Sequence, residues 1–408
     1  MHAGTSAGEP LGPAPNLGTP ERRLEGRQRA AVVATFLAHG LLFASWTAHI
    51  PEVKAHLGLS DTALGGVLVL TPVGSVCAML LAGRLLPVLG SRRMVQANVL
   101  GYWAAAPLVG LASSPALLGA ALFAWGAFQG LLDVSMNTQA ATVQHGQGRH
   151  LMPTFHGIWS IGAFSGAGIG AAAVALHVGL TAQMLVFALP ILVPISLLSP
   201  SMISDARSTE HPSTARQRQL SRATVVLGAV AFAAMLCEGA SADWSAVYLR
   251  GPAHAGRAIS GLGYAAFAVM MAAVRLCGTR LLDRIPQQRL LPLLAAIATA
   301  AMALALATGT AFMALVGFAA LGAGTALVVP TLFSAAARLP GLGTGAGIVA
   351  VSTFGWAGFV CGPPLIGGLA GIGGLRAALA LIPALTVVIA LATTRVGVLS
   401  RITAGTET

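Results

Sequence analysis

Long apolar segments separated by short polar connections repeat along almost the whole chain. Each segment has roughly 20 residues, the length that an α-helix needs to cross a hydrocarbon core of about 30 Å. Six segments lie at about 30–50, 62–83, 94–112, 116–137, 155–176 and 181–199, and six more at about 223–249, 259–281, 289–308, 311–335, 343–370 and 374–394. The pattern predicts an all-α membrane protein with twelve transmembrane helices.

The polar stretches divide the chain into predicted domains. Residues 1–28 are rich in Gly, Pro, Ala, Glu and Arg and lack apolar periodicity, which predicts a disordered cytoplasmic tail. A polar connector at 201–222 separates two predicted six-helix bundles, at 29–200 and 223–396. Residues 397–408 form a second predicted cytoplasmic tail.

Composition agrees with a membrane protein. Of the 408 residues, 56% are hydrophobic and 9% are charged, whereas soluble proteins have about 25% charged residues. The four cysteines lie in apolar segments without the spacing of paired ligands, which favours free thiols over disulfides or a metal site. The formal net charge is +11, but the basic residues are scattered singly or in pairs, so nucleic acid is not predicted as a partner.

Lys and Arg are distributed unevenly between the two sides of the predicted bundle. If the amino terminus is cytoplasmic, 18 of the 23 basic residues fall on the cytoplasmic side, four fall outside and Arg275 lies within a span. Cytoplasmic loops of membrane proteins carry an excess of Lys and Arg. We therefore expect both termini to be cytoplasmic in a multi-pass protein of the bacterial cytoplasmic (inner) membrane.

The two predicted bundles share a weak internal repeat. An offset of 196 residues aligns Arg84-Leu85-Leu86 with Arg280-Leu281-Leu282, Gly126 with Gly322, and Gly162 and Gly166 with Gly358 and Gly362. Transporter folds are commonly duplicated bundles whose halves keep faint similarity. Gly162, Gly166 and Gly170 also predict a close helix contact, and Pro330 predicts a helix bend.

The loop between the second and third segments contains closely spaced glycines and arginines, namely Gly83, Arg84, Gly90, Arg92 and Arg93, and its counterpart in the second half contains Asp283 and Arg284. Glycine permits a tight turn, and arginine can bond to helix ends or to a carboxylate. The loop resembles the signature loop of the major facilitator superfamily, although Pro87 stands where that pattern has an acidic residue. The resemblance implies two pseudo-symmetric six-helix bundles and a gating role for these loop residues.

The fourth segment carries a line of polar residues. Gln129, Asp133 and Asn137 recur every four residues and share one helix face. An ionisable group inside a bilayer is costly unless it faces a cavity or a partner, so the pattern predicts a functional site. The alternative is that Asp133 only holds helices together by pairing with Arg275 or a backbone group.

The stretch from Asp133 to Asn137 resembles the acid-x-x-x-Asn pattern of the fucose permease-like branch of the superfamily, where the acid is Glu. Phe155–Ser160 in the fifth segment and Glu238–Ser245 in the seventh strengthen this resemblance. It implies that Asp133 is a protonation site and that Asn137 bonds a hydroxylated substrate.

Two further residues are candidates for proton coupling. His156 lies at about the depth of Asp133, so the two could share a proton, although a histidine at a helix entrance is often only an interfacial hydrogen-bonding residue. Glu238 lies near the middle of the seventh segment, where loss of hydration favours the neutral form of a carboxyl group.

Candidate substrate-binding residues come from three segments. In the family that the chain resembles, the first, fourth, seventh and tenth spans line a central cavity. The candidates are His39, Trp46, Gln129, Asn137, Ser241 and Trp244. Trp244 is either a platform for a sugar-like ring or a residue of the aromatic belt at the membrane interface. Asp243 is placed toward the outer end of its span and is given no role.

These observations predict a secondary transporter that moves a small polar, sugar-like solute by alternating access and proton symport, as a monomer in the lipid bilayer. A proton-antiport exporter of drugs or metabolites is the alternative within the class, and a channel or non-transporting sensor the alternative outside it. No nucleotide-binding or His-Glu-x-x-His motif occurs in the sequence. An enzyme, a metal site and a cofactor are therefore not predicted.

Overall fold

A computed structural model describes residues 19–147, 151–204, 222–336 and 344–404, and these residues form helices joined by short connections. The helices of the first half are α1 (Thr19–Ser45), α2 (Ile50–His56), α3 (Asp61–Leu68), α4 (Leu70–Leu89), α5 (Ser91–Gly110), α6 (Pro115–Gln147), α7 (Met152–Ala175) and α8 (Leu180–Leu198). Those of the second half are α9 (Arg222–Arg250), α10 (Arg257–Ser260), α11 (Gly263–Arg284), α12 (Gln287–Thr308), α13 (Ala311–Thr325), α14 (Val328–Ala336), α15 (Thr344–Ala378) and α16 (Leu381–Ala404).

Several spans consist of two consecutive helices. The pairs α1 and α2, α3 and α4, α10 and α11, and α13 and α14 each occupy one of the twelve places predicted from the sequence. Within the described ranges, ten of the helical segments are long and apolar enough to cross a membrane. The two that fall short are α5, which begins with Arg92 and Arg93, and α16, whose apolar part is Leu381–Thr394. The predicted all-α membrane fold is confirmed.

Several helices extend beyond their predicted limits. α6 ends at Gln147 rather than near 137, and α15 ends at Ala378 rather than near 370. α1 begins at Thr19 and α16 ends at Ala404, so residues 19–28 and 397–404 are helical where tails were predicted. Pro20 occupies the start of α1, where its fixed φ suits a helix, and Glu, Leu, Gln and Arg in the following turns all favour helix. Residues 1–18 and 205–221 of the predicted tail and connector lie outside the described residues.

The two halves repeat the same helix contacts. In the first half α1 packs on α7, α6 packs on α4 and α5, and α5 packs on α8. In the second half α9 packs on α15, α13 packs on α11 and α12, and α12 packs on α16. Each contact of the first half therefore has a counterpart in the second, as expected for two pseudo-symmetric bundles.

Glycines allow the helices to approach one another at matched positions. Gly162, Gly166 and Gly170 of α7 face the backbone carbonyls of Leu37, Leu41 and Ser45 of α1, each so closely that a β-carbon would collide with the oxygen. The contact of Gly126 with the Thr71 carbonyl recurs 196 residues later, where Gly322 faces the carbonyl of Phe267. The predicted close contact of α7 is confirmed, because only glycine leaves room for the facing backbone.

The halves also meet each other through matched pairs. A β-carbon placed on Gly65 of α3 would lie 3.0 Å from the Cα of Gly367, and one placed on Gly261 would lie 2.7 Å from the Cα of Ala171. Both members of the second pair differ by 196 residues from their counterparts in the first. In addition, the Thr62 hydroxyl donates a hydrogen bond of 3.1 Å to the Gly367 carbonyl. These contacts join the two halves at the end of the molecule opposite the chain termini.

The loop with the family signature is a very tight turn. Gly90 alone separates α4 from α5, and its φ of 74° lies in the region that favours glycine. Gly83 and Arg84 belong to α4, Arg92 and Arg93 to the first turn of α5, and Asp283 and Arg284 to the end of α11. Arg84, Arg93, Asp283 and Arg284 are exposed. The gating role of these residues stays a prediction.

The glycine contacts can be tested with two substitutions in one helix. Gly166→Ala places a methyl group against the Leu41 carbonyl of α1, so we expect it to lower the stability of the folded protein by about 1–3 kcal/mol. Gly168, also in α7, has no neighbouring atom within 4 Å of an added β-carbon. Gly168→Ala is therefore the matched control and should leave stability unchanged or raised. Thermal unfolding in detergent measures both, and equal midpoints for the two variants would contradict the proposed packing.

Candidate functional site

A cavity of about 250 Å³ lies between the two halves. Its wall is formed by α1, α3, α4, α6 and α7 from the first half and by α9, α11, α14 and α15 from the second. The aromatic residues of the wall are Phe43, Trp46, Trp125, Trp159, Trp356 and Phe359, and the ionisable ones are His39, Asp133, His156, Glu238, Asp243 and Arg275. Aromatic surface thus surrounds a small number of charged groups.

The cavity is closed at one end. Residues 44–50, at the end of α1 and the turn after it, are buried, and so are residues 239–249 of α9 except Asp243. The contacts between Gly65 and Gly367 and between Gly261 and Ala171 join the halves at that end. His156, on the wall near the start of α7, is exposed. The cavity therefore opens toward the end of the bundle that carries the loop between α4 and α5.

Six of the nine residues predicted for proton coupling or substrate binding line this cavity. Asp133, His156 and Glu238, the proposed proton-coupling residues, all belong to its wall, as do three of the proposed substrate-binding residues, His39, Trp46 and Gln129. Asn137, Ser241 and Trp244 do not belong to the wall. Spans one, four and seven thus bring their polar faces together.

Asn137 contacts Asp133 rather than the open cavity. Its Nδ2 donates to the backbone oxygen of Asp133 at 2.8 Å and to the Asp133 carboxyl oxygen Oδ1 at 3.2 Å. Neither His156 nor Arg275 forms an ion pair with Asp133 within 4.0 Å in the described part of the chain. In this conformation, the amide of Asn137 is therefore the group that holds the Asp133 side chain.

The seventh span presents a different face from the one expected. Glu238, Gly239, Ala242 and Asp243 line the cavity, at the i, i+1, i+4 and i+5 spacing of one helix face. Ser241 is fully buried and donates to the Cys237 carbonyl at 2.8 Å. Trp244, six positions after Glu238, lies about 120° around the helix and is fully buried in the protein core.

Asp243 is an ionisable residue of the wall that was not among the predicted site residues. Its position follows from the helical spacing to Glu238 and Gly239, a signal that was available in the sequence. No other described residue gives its carboxyl group a hydrogen bond or an ion pair within 4.0 Å. A second carboxyl group of α9 thus faces the cavity without a protein partner.

His39 is fixed by an aromatic neighbour. The Trp159 indole Nε1 donates to His39 Nδ1 at 2.7 Å, so in the neutral ring Nε2 carries the hydrogen. The His39 ring stacks on Tyr102 with centroids 5.4 Å apart, and Tyr102 stacks on Trp125 at the same distance. Trp125 Nε1 is buried and has no partner within 3.5 Å among the described residues. One hydrogen-bond donor next to the wall is therefore unused.

Arg275 is held at a helix break in the tenth span. Pro330 has no N–H, so the carbonyl of Ala326, four residues earlier, lacks its usual helical donor. Arg275 Nε of α11 donates to this carbonyl at 3.2 Å. The helix resumes with the bond from Thr331 N to the Leu327 carbonyl. The predicted bend at Pro330 coincides with this break between α13 and α14, and the guanidinium group uses the carbonyl that the break leaves free.

The wall also follows the internal repeat. Five pairs of wall residues are separated by 196 positions: His39 and Met235, Phe43 and Gly239, Trp46 and Ala242, Met79 and Arg275, and Asp133 and Val329. In each pair the two side chains differ in polarity or size. Among the described residues, no group of three or more His, Cys, Asp or Glu side chains is arranged to hold a metal ion.

Restoring the missing donor tests the role of the free carbonyl. Pro330→Ala supplies an N–H that can bond to the Ala326 carbonyl and displace Arg275, so we expect a straighter tenth span. The folded protein should gain stability, by up to about 3 kcal/mol, and amide exchange should slow around residues 326–331. Hydrogen exchange measured by mass spectrometry reports this change.

The matched control is Pro292→Ala, because Pro292 lies inside α12 and away from the cavity wall. That variant should leave exchange around residues 326–331 unchanged. If amide exchange around residues 326–331 is the same in Pro330→Ala and in the unmodified protein, Arg275 does not occupy a carbonyl that Pro330 leaves free.

The fold and the cavity define a multi-pass membrane transporter, since two pseudo-symmetric helical halves enclose a central cavity with ionisable groups. Residues 31–356 match the family model of the Major Facilitator Superfamily. An uncharacterised MFS-type transporter of Yersinia pestis is 31% identical over 89% of this chain and 94% of the relative. The membrane protein MosC of Rhizobium meliloti is 33% identical over 89% of this chain and 88% of the relative. The chain belongs to the Major Facilitator Superfamily.

Solved structures show the same fold at low identity. A D-xylose–proton symporter superposes with a TM-score of 0.69 at 14% identity, covering 90% of this chain and 97% of that chain. The fucose:proton symporter of E. coli superposes with a TM-score of 0.60 at 17% identity, with the same two coverages. At such identities the likeness concerns the fold.

Proposed function

We propose that the chain is a proton-coupled secondary transporter that moves a small polar solute across the bacterial inner membrane by alternating access. The observation that carries this proposal is the cavity between the halves, which is closed at one end and lined by carboxyl groups from both halves. Rocking of one bundle against the other would expose such a cavity to each side in turn. Both termini lie in the cytoplasm in this proposal, and the transporter acts as a monomer.

Asp133 is the proposed proton-binding group. Its carboxyl group belongs to the cavity wall and is held by Asn137 rather than by a cation. A carboxyl group without a cationic partner in a poorly hydrated place favours the neutral form, so it can take up and release a proton as hydration changes. His156 is exposed on the same wall, and we assign it to proton exchange with the open side.

Symport is the direction that the likeness to known structures favours. Two neighbours with this fold are proton symporters, one for D-xylose and one for fucose. The aromatic residues of the wall are also suited to packing against a sugar ring. Membership of the fucose permease-like branch stays a prediction, and so does the gating role of the loop between α4 and α5.

Antiport is the second candidate, and the charge balance of the wall favours it. Three carboxyl groups, from Asp133, Glu238 and Asp243, line the cavity together with the single guanidinium of Arg275. A solute that neutralises these groups competes with protons for them, which couples entry of one to exit of the other. The direction of the proton gradient that drives accumulation distinguishes the two candidates.

Uptake into proteoliposomes tests the proposed function. The full chain is reconstituted, and labelled sugars, polyols, nucleosides and amines are offered with and without an imposed pH gradient. We expect at least one solute to accumulate only when the gradient is present. If no solute crosses in either direction, with or without the gradient, the transporter proposal fails.

Removing the proposed proton-binding group tests whether proton coupling can be lost while the solute still crosses the membrane. Asp133→Asn keeps the hydrogen-bonding shape but cannot ionise, so we expect it to abolish gradient-driven accumulation while solute exchange across the membrane continues. Glu25→Gln makes the same chemical change near the start of α1, outside the cavity wall, and should accumulate solute normally. Full accumulation by Asp133→Asn would show that another group binds the proton.

A further inference from the structure

The charged groups of the cavity do not balance. Asp133, Glu238 and Asp243 contribute carboxyl groups, and Arg275 is the only Lys or Arg among the described residues that line the wall. If Asp133 carries the coupled proton, two carboxyl groups of α9 remain against one guanidinium. His39 and His156 are the other titratable residues of the wall, and the buried ring of Tyr264 contacts Phe43 of the wall.

The guanidinium does not neutralise these carboxyl groups by direct contact. Arg275 Nε donates to the Ala326 carbonyl, and the described part of the chain contains no ion pair within 4.0 Å between Arg275 and either Glu238 or Asp243. A carboxylate removed from water without a partner is unfavourable. A cation that enters the cavity would therefore find two carboxyl groups that have no ion pair within 4.0 Å and only one guanidinium group to balance them.

The aromatic residues fit the same kind of ligand. Four tryptophans, Trp46, Trp125, Trp159 and Trp356, contribute to the wall. Ammonium groups are attracted to the faces of aromatic rings, most strongly to tryptophan and most of all where water is excluded. Aromatic rings also form a contact between the two halves. The rings of Phe43 in α1 and Tyr264 in α11 have centroids 6.1 Å apart.

The size of the cavity limits the ligand. A cavity of about 250 Å³ admits only a compact molecule.

We propose that the solute is a small organic cation, an amine or quaternary ammonium compound, whose charge is bound by Glu238 and Asp243 of α9 between the aromatic rings of the wall. This inference rests on the proposed function and names the substrate class of the same site. Neutral solutes of equal shape bind more weakly because they leave the excess of carboxyl groups over the guanidinium group uncompensated.

Matched pairs of probes test the charge preference. Choline is compared with 3,3-dimethylbutan-1-ol, which replaces the nitrogen by carbon, and glucosamine with glucose, at neutral pH, where protons compete less for the carboxyl groups than they do in acid. Binding to the purified full chain is followed by tryptophan fluorescence, since four tryptophans line the cavity. We expect the cation of at least one pair to bind at least about tenfold more tightly than its neutral partner, a difference of about 1.4 kcal/mol.

Substitutions in α9 test the location. Asp243→Asn and Glu238→Gln should each reduce the preference for the cation, and the double variant should bring the two affinities of a pair close together. Glu25→Gln is the control and should keep the full preference. The thermal midpoint of each variant is measured without ligand, and if the double variant is unfolded, the two single variants decide.

The outcomes separate this inference from the proposed function. If neutral members bind as tightly as cations, if no cation binds at millimolar concentration, or if the variants keep the full preference, the solute is not a cation bound by α9. Gradient-dependent uptake of glucose but not of glucosamine would overturn the inference and leave the transporter function intact. Binding of choline without flux of any solute would support the cation site and contradict transport.

Discussion

An ionisable side chain inside a bilayer is stable only where water, a partner or a cavity compensates its charge. Asp133 in α6 and Glu238 in α9 both obey this constraint by facing the space between the halves. Elsewhere along these two helices, apolar and small residues allow tight packing, so that Gly126 meets the Thr71 backbone and Gly228 meets the Phe354 ring. The need to compensate buried charge therefore places the ionisable groups at the cavity between the halves and leaves the remaining helix surfaces for close packing within each half.

The internal repeat accounts for the matched helix packing of the two halves, and the sequence differences between the halves account for the charged groups of the cavity. Gly65 and Gly261 occupy matched positions, and each lets its half approach the other at the closed end of the cavity. At the cavity wall the same repeat pairs Met79 with Arg275 and Asp133 with Val329. The geometry of closure thus stays symmetric while the charges do not, so an asymmetric solute can bind in one orientation within a nearly symmetric frame.

The sequence predicted those features that depend on local periodicity. Gln129 and Asp133 line the cavity as their four-residue spacing indicated. Asn137 continues that spacing but bonds to Asp133, and Met136 is the next residue of α6 that lines the wall. In α9 the helical face was misjudged: Asp243 rather than Trp244 reaches the cavity. The neighbouring helices determine which face of a nearly uniformly apolar helix points toward the cavity. The sequence of that helix alone therefore does not show it.

The sequence also did not predict hydrogen bonds between residues that are far apart in the chain. Arg275 was recognised as a cation within a span, and Pro330 as a bend, but their connection through the Ala326 carbonyl requires the packing of α11 against α13. The start of α1 at Thr19 is a different case. Pro20 and the helix-forming residues after it favour the start of a helix, but the polar composition of this stretch led to the prediction of a disordered tail.

Arg275 is held at the cavity by the helix break of the tenth span. Its Nε–H donates to the Ala326 carbonyl, and the guanidinium group has further N–H donors that can bond a carboxylate of α9 without breaking that bond. The break therefore keeps the guanidinium group beside the cavity whether Glu238 and Asp243 are neutral, ionised or bound to a cation. Pro330 lies in α14 and does not line the cavity, yet it contributes to the site by leaving free the carbonyl that positions the charge of Arg275.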